Sequence, residues 1–176
     1  MDINTLNRSA CLFIAVMSLS SQAFAADNEV TFTGSILDST CTVNVNGGQS
    51  IIDLGGEPKS SFTQQGDVGA AKIFNIVLES CPADGPTKAY IKFSGQTDTN
   101  SYWFKNTATD SPASNIAVMV KQGETVVAAD DGNDAVDLPT TGGDVTVNYS
   151  AQFVATATGV TSGAVSSTLT YNVSYQ

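Results

Sequence analysis

The sequence predicts an all-β protein, a sandwich of Greek-key type, preceded by an export signal. Apolar residues recur at every second position in short runs rich in Val, Ile, Thr and aromatic residues, which is the period of a half-buried strand. Gly, Asn, Asp, Ser and Pro separate these runs, as turns require. The 176 residues, less a signal, suffice for one sandwich core and not comfortably for two.

The first 25 residues have the organisation of a secretory signal peptide. Arg8 precedes an apolar run over residues 10–17, and Ala23-Phe24-Ala25 fits the small-x-small rule for cleavage before Ala26. The alternative is a membrane anchor, but crossing a bilayer takes about 20 apolar residues, and no second apolar segment follows. We therefore predict a signal over 1–25, an exported mature chain over 26–176 and no direct membrane insertion.

The first predicted strand, residues 30–36, begins almost at the mature N-terminus. Its alternate positions are Val30, Phe32, Gly34 and Ile36, and Thr or Ser occupies the positions between them. One face of this strand should be buried and the other solvated. Because so little chain precedes it, the strand is free to pair outside its own domain. The alternative is that it begins the domain's own first strand.

The remaining runs predict an all-β mature chain with little room for helix. We predict strands at residues 41–45, 50–54, 73–78, 88–93, 115–121, 124–128, 145–156 and 165–175. The last two alternate over the greatest length, and both are interpreted as core-forming. Only residues 66–72 leave room for a brief helical turn.

The cysteines predict one disulfide. Cys11 leaves with the signal, so Cys41 and Cys81 remain as an even pair in an oxidising compartment. The competing interpretation is a metal site, but two cysteines with no histidine in the chain cannot complete a tetrahedral zinc site. In the chain-entropy model, a disulfide that closes a loop of this length adds about 4 kcal/mol to the free energy of unfolding.

Composition limits the chemistry. The net charge is −10, which argues against nucleic acid or anionic membranes as partners and is compatible with a basic partner or with simple solubility. The absence of histidine excludes Ser-His-Asp and Cys-His nucleophilic machinery. We predict no catalytic residue, no cofactor and no bound metal.

Two clusters offer weaker alternatives. Asp130, Asp131, Asn133 and Asp134 surround Gly132 and are interpreted as the tip of a hairpin, with a weak calcium site as the alternative, since their order does not fit an EF-hand loop. Tyr102, Trp103 and Phe104 could form a sugar-stacking platform, but such a run beside a strand is more often part of a core.

Taken in order, these features resemble a known family. A signal is followed by an alternating strand with a central glycine, then by two cysteines 40 residues apart, and the chain ends in Leu169-Thr170-Tyr171-Asn172-Val173-Ser174-Tyr175-Gln176. This order resembles the chaperone–usher pilus subunits, similar to type 1 pilins, over essentially the whole mature chain. The short lead to Cys41 is closest in pattern to the minor tip or adaptor subunits.

The resemblance implies an incomplete immunoglobulin-like sandwich that lacks its final strand, with a donor-strand extension over 26–36 and a pilin domain over 37–176. Val30, Phe32, Gly34 and Ile36 would fill the groove of a neighbouring subunit by β-strand addition. A periplasmic chaperone would hold the C-terminal strand, and an outer-membrane usher would pass the subunit to the fimbrium at the cell surface. The chaperone-binding residues implied are Leu169, Tyr171, Val173, Tyr175 and Gln176.

The expected function is thus that of a structural, non-enzymatic subunit of an adhesive fimbria. The alternative is a free-standing exported β-sandwich that binds carbohydrate or another surface ligand by itself.

Overall fold

Two antiparallel β-sheets account for the strands that the computed structural model describes, which covers residues 40–131 and 135–176. The predicted signal and the predicted strand at residues 30–36 lie outside this part of the chain. Within it, no helix is long and apolar enough to cross a membrane.

The larger sheet, sheet A, has the strand order β1-β2-β8-β5-β4, with β6 also paired to β5, and sheet B has the order β7-β3-β9. The strands are β1 Thr42–Val45, β2 Lys72–Cys81, β3 Lys88–Gly95, β4 Phe104–Lys105, β5 Ile116–Gln122, β6 Thr125–Val126, β7 Val136–Asp137, β8 Gly143–Ala155 and β9 Leu169–Tyr175. Two single turns of 3₁₀-helix, Asn46–Gly48 and Lys59–Ser61, interrupt the connections.

The core lies between the two sheets, as the alternation predicts. Ile76 and Leu78 of β2 are fully buried, and Ile91 and Phe93 of β3 meet them from sheet B. On β8, Tyr149 and its inward neighbours belong to the same cluster. Each fully buried aliphatic or aromatic side chain contributes about 1.5–3 kcal/mol of transfer free energy, so this layer is the main source of stability.

A β-bulge in β2 brings the two cysteines together. The register of β2 against β8 shifts between Leu78 and Cys81, and Ser80 takes a positive φ of 54° there. The displaced N–H of Ser80 donates to the carboxylate of Asp144 at 2.8 Å. The extra residue turns Cys81 inward, where it forms the predicted disulfide with Cys41 just before β1.

Most predicted strands are confirmed, with changes at their ends and two omissions. The run at 124–128 reduces to Thr125–Val126, and the run at 165–175 begins as a strand only at Leu169. The two-residue strands β4 and β7 were not predicted, because two residues carry no measurable periodicity. Residues 66–72, the one stretch left with room for a helical turn, form none: Val68 bridges Val154 of β8.

The hairpin predicted around Asp130 and Asp131 is also wrong. These residues lie on the connection from β6 in sheet A to β7 in sheet B, so the flanking strands are not partners. Asp130 sits in a turn with φ 62°, and its carboxylate accepts a hydrogen bond from the Ser94 hydroxyl at 2.6 Å. Asn133 and Asp134 lie outside the described residues.

Candidate strand-binding groove

The C-terminal strand β9 is an edge strand whose inner face is incompletely covered. Among the described strands it pairs only with β3, and the inward side chains of Tyr171, Val173 and Tyr175 lie beside those of β3. Phe93 is 4% exposed, yet its cross-strand partner Tyr171, on the same face, is 43% exposed. Leu169, Val173 and Tyr175 are half-buried. The sequence predicts that β9 helps to form the core. Its inward side chains are half-buried or exposed, so the strand fills this role only in part.

The segment at residues 50–54 forms a second incomplete edge. Its side chains alternate as predicted, since Ile52 and Leu54 pack on the core and Ile51 is 81% exposed. The strand prediction is nevertheless wrong in one respect. This segment pairs with no strand in residues 40–131 and 135–176. An extended segment without a ladder partner offers its backbone N–H and C=O groups for pairing.

The two edges border the same core cluster, against which Ile52 and Leu54 of one edge and Leu169, Val173 and Tyr175 of the other all pack. At the C-terminal end of β9, the Tyr175 hydroxyl donates to the carbonyl oxygen of Cys41 at 3.3 Å, and partial burial raises the pKa of Tyr175. At the other end, a half-open cleft of about 450 Å³ separates the chain after Leu54 from the chain before β9. Its lining includes Gly55, Glu57, Phe62, Val160 and Val165. We call the two incompletely paired edges of this cluster, residues 50–54 and β9, together the acceptor groove.

Aromatic side chains form part of the core beneath this region. The ring of Tyr149 stacks on Phe74 with 5.5 Å between centroids and meets Phe93 edge-on at 5.1 Å. The Tyr149 hydroxyl is buried and has no hydrogen-bond partner among the described residues. Burial raises the pKa of Tyr149 to about 12, because the phenolate would lose its hydration.

The C-terminus is fixed within the domain. The main-chain oxygen of Gln176 accepts hydrogen bonds from the N–H groups of Thr87 and Lys88, both at 2.9 Å, and the Gln176 N–H donates to the carbonyl of Lys88. The last residue of the chain therefore continues the ladder of β9 against the start of β3.

The other predicted candidates are not brought into this groove. Asp130 and Asp131 belong to the β6–β7 connection, and no group of three His, Cys, Asp or Glu in the described part is arranged to hold a metal ion. Phe104 is fully buried as predicted, whereas Tyr102 is 48% exposed and Trp103 packs on the outer face of sheet A. The predicted donor residues Val30, Phe32, Gly34 and Ile36 lie outside the described residues.

Two incomplete edges, a disulfide between the start of β1 and the end of β2, and an open inner face on the last strand define an immunoglobulin-like sandwich of the pilin class. The comparison of sequences agrees with this architecture. The chain belongs to the fimbrial protein family, whose family model matches residues 30–176.

Individual relatives cover nearly the whole chain. It is 32% identical to a probable major fimbrial subunit, LpfA, of Escherichia coli O157:H7, over 92% of this chain and 93% of that protein. It is 31% identical to the F17 fimbrial protein of Escherichia coli, over 94% and 96%. The protein is thus a structural fimbrial subunit that is exported to the cell surface as part of fimbriae.

Solved structures share the fold. The rod subunit PapA of the P pilus superposes with a TM-score of 0.65 at 22% identity, covering 78% of this chain and all of that one. A type I fimbria protein of Burkholderia pseudomallei gives 0.60 at 27% identity, covering 82% and 94%. Such subunits polymerise with their neighbours. The expected likeness to minor tip subunits stays a prediction, and LpfA is described as a major subunit.

Sequence reasoning missed residues 50–54 as one wall of the groove. A signal for it is present in the sequence, because the run is short, places Ile52 and Leu54 two positions apart and ends at Gly55-Gly56. That pattern identifies an extended segment but not whether the segment has a partner.

Proposed function

We propose that the acceptor groove receives a β-strand from a neighbouring subunit, and that residues 30–36 of this chain serve as the equivalent strand for the next acceptor. The role is structural, and the chain carries load in a fimbria without catalysing a reaction. This is the known mode of β-strand addition described for chaperone–pilin complexes.

The observation that carries the proposal is the exposure of Tyr171 beside the buried Phe93 on one face of sheet B. An inward-facing aromatic residue at 43% exposure leaves apolar surface in water within the sandwich. A strand laid along β9 would cover this surface and pair with the edge of β9 that faces away from β3.

The predicted donor suits this task in composition. Val30, Phe32 and Ile36 would each contribute about 1.5–3 kcal/mol on burial, before the cost of ordering the strand. Gly34 leaves the space of one side chain empty, which suits a point where the groove is shallow.

We further propose that a periplasmic chaperone occupies the groove before assembly and that an outer-membrane usher takes the subunit from it. The contacts would be made by the C-terminal strand through Leu169, Tyr171, Val173, Tyr175 and Gln176. The half-buried state of β9 supports this, since the strand pairs only with β3 among the described strands and has an apolar face to offer.

The proposal is tested by strand displacement. A synthetic peptide of residues 26–38 should displace the chaperone from the purified complex, as followed by native gel electrophoresis. A peptide carrying Gly34→Leu should do so about tenfold more slowly or worse, because overpacking costs about 1–3 kcal/mol. The matched control is Thr33→Leu, which adds the same side chain on the opposite face of the strand.

Equal displacement by the Gly34→Leu and Thr33→Leu peptides would contradict the assignment of Gly34. Isolation of the mature chain as a stable monomer that binds no peptide would contradict the groove itself and favour the free-standing sandwich.

A further inference from the structure

The turn between β1 and residues 50–54 contains a pair of residues that the groove does not explain. Asn46-Gly47 is the only Asn-Gly pair in the 176 residues, and Gly48 follows it. Asparagine is among the thermolabile residues, because its side-chain amide can be lost from the intact chain. A following glycine has no Cβ to hinder the approach of its backbone nitrogen to that amide. The pair is therefore a candidate for a covalent change that needs no enzyme.

The main chain of this turn has the freedom that such a change requires. Asn46 has a φ of 45°, and Gly47 and Gly48 have φ values of 66° and 85°. At both glycines, nothing beyond the chain neighbours lies within 4 Å of the position that a Cβ would take. The Gln49 N–H donates to the Asn46 carbonyl at 3.3 Å, which is longer than usual. The turn can therefore rearrange without displacing a packed side chain.

The side-chain amide of Asn46 is also unrestrained. The residue is half-buried, and its amide makes no hydrogen bond to any residue within 40–131 or 135–176. Two asparagines in other connections are held. The Asn100 side chain accepts the N–H of Tyr102 at 2.9 Å, and both ends of the Asn106 side chain bond to main-chain groups. Asn46 thus combines the most reactive sequence with a free side chain.

We propose that Asn46 is a site of deamidation and that the modified residue weakens the acceptor groove. The backbone nitrogen of Gly47 attacks Cγ of Asn46 and closes a five-membered imide ring. The side-chain nitrogen leaves as ammonia and takes the proton that the backbone nitrogen gives up. Water then opens the ring at either carbonyl carbon, which gives aspartate or isoaspartate. The reaction needs no oxidant or reductant, and water is its only co-reactant.

The position of the turn connects this change to the groove. β1 is fixed by its ladder to β2, and Ile52 and Leu54 pack on the core. Isoaspartate inserts one more backbone atom between these two fixed parts, which lengthens the link by about 1.5 Å. Both products also add a negative charge to a chain whose net charge is already −10. The edge at residues 50–54 should therefore lose packing, a consequence that rests on the proposed function, whereas the modification itself does not.

The modification is tested on the purified chaperone complex, incubated at neutral and at mildly acidic pH. The subunit is then reduced, digested with trypsin and analysed by mass spectrometry. The peptide of residues 26–59 should gain about one mass unit, the balance of ammonia lost and water gained, and fragmentation should place the gain at Asn46. The gain should be larger at neutral pH, because the attacking nitrogen of Gly47 must lose its proton.

Asn100 is the internal control, since it also precedes a small residue, Ser101. The change at Asn46 should be about tenfold faster, because Asn100 must first release its hydrogen bond. Asn46→Gln should show no gain, since its longer side chain would have to close a six-membered ring. An unchanged mass, an equal gain at Asn100, or a gain that persists in Asn46→Gln would overturn the site. The decisive measurement is made on the wild-type chain and does not depend on how the variant folds.

The effect on the groove is measured with the 26–38 peptide. After incubation, the wild-type complex should take up the peptide several-fold more slowly than the Asn46→Gln complex kept for the same time, whereas fresh complexes should not differ. Equal uptake after incubation would overturn the effect of the modification on the groove. Failure of fresh complexes to take up any peptide would contradict the proposed function instead, and the mass gain would still decide whether Asn46 is modified.

Discussion

At the scale of single residues, Ser80 decides where the disulfide forms. Strict alternation along β2 after Leu78 would turn Ser80 inward and Cys81 outward. The bulge at Ser80, held by the Asp144 carboxylate, reverses this and gives Cys81 its buried position. The sequence predicted the pairing of the cysteines but not the bulge, because a positive φ at a serine depends on a residue 64 positions away.

Tyr149 gives a stability prediction at the same scale. Its buried hydroxyl has no partner among the described residues, so Tyr149→Phe removes a desolvated polar atom and keeps the ring packing. We expect the free energy of unfolding to rise by about 1 kcal/mol, measured by urea denaturation. Tyr171→Phe is the control, since the Tyr171 ring is 43% exposed, and it should change little. A loss of stability in Tyr149→Phe would show that the hydroxyl is bonded after all.

The buried Tyr149 hydroxyl also predicts that the stability of the fold depends on pH at alkaline pH. The folded-state pKa of Tyr149 is raised to about 12 from an unfolded value near 10, so the fold favours the protonated phenol. The stabilisation that the raised pKa of Tyr149 gives the folded state is complete below pH 10 and is lost as the pH rises through about 12. Wild-type stability should therefore fall more steeply than that of Tyr149→Phe over this interval, measured by denaturation at several pH values. Parallel curves would contradict burial of the phenol.

At the scale of elements, paired positions on β3 and β9 should respond differently to truncation. Ile91 is 1% exposed and lies opposite the half-buried Val173. We expect Ile91→Ala to cost about 2–5 kcal/mol in the isolated subunit. In the isolated subunit, Val173→Ala should lower the free energy of unfolding by about 1 kcal/mol or less. The loss should be clearly larger once the 26–38 peptide fills the groove, because the Val173 side chain is then fully buried.

Both variants are compared by thermal unfolding with and without the peptide. The wild-type chain and Asn172→Ala, which changes an outward-facing residue of the same strand, serve as controls. If the cost of Val173→Ala did not depend on the peptide, β9 would not border the groove.

The elements also show how far sequence reasoning reaches. The run at 145–156 matches β8, Gly143–Ala155, closely, because a long strand buried on one face repeats its pattern many times. Residues 50–54 alternate in burial yet have no partner in the described part of the chain, because β-pairing is a long-range event that a local pattern does not encode. The link from β6 to β7 was mistaken for a hairpin because Asp and Gly favour any tight turn, whichever sheets it joins.

At the scale of the whole molecule, the disulfide offsets the lack of a complete sandwich. It closes a loop of 40 residues between the start of β1 and the end of β2. We expect the double variant Cys41→Ser, Cys81→Ser to lose about 4 kcal/mol, measured by urea denaturation of the mature chain. Thr42→Ser, a change at the exposed position beside Cys41, is the control and should have little effect. Equal stability of the double variant would contradict a structural role for the disulfide.

The pairing of β9 along all of β3, from Ala89↔Tyr175 to Gly95↔Leu169, has a mechanical consequence for the proposed fibre. A strand lying in the acceptor groove would run beside β9, so tension along the fibre would act parallel to these strands. Hydrogen bonds loaded in this direction are strained together, whereas bonds loaded across a ladder break one at a time. The subunit junction would then yield to pulling only by the simultaneous rupture of its whole length, and its lifetime under flow would be set by that barrier.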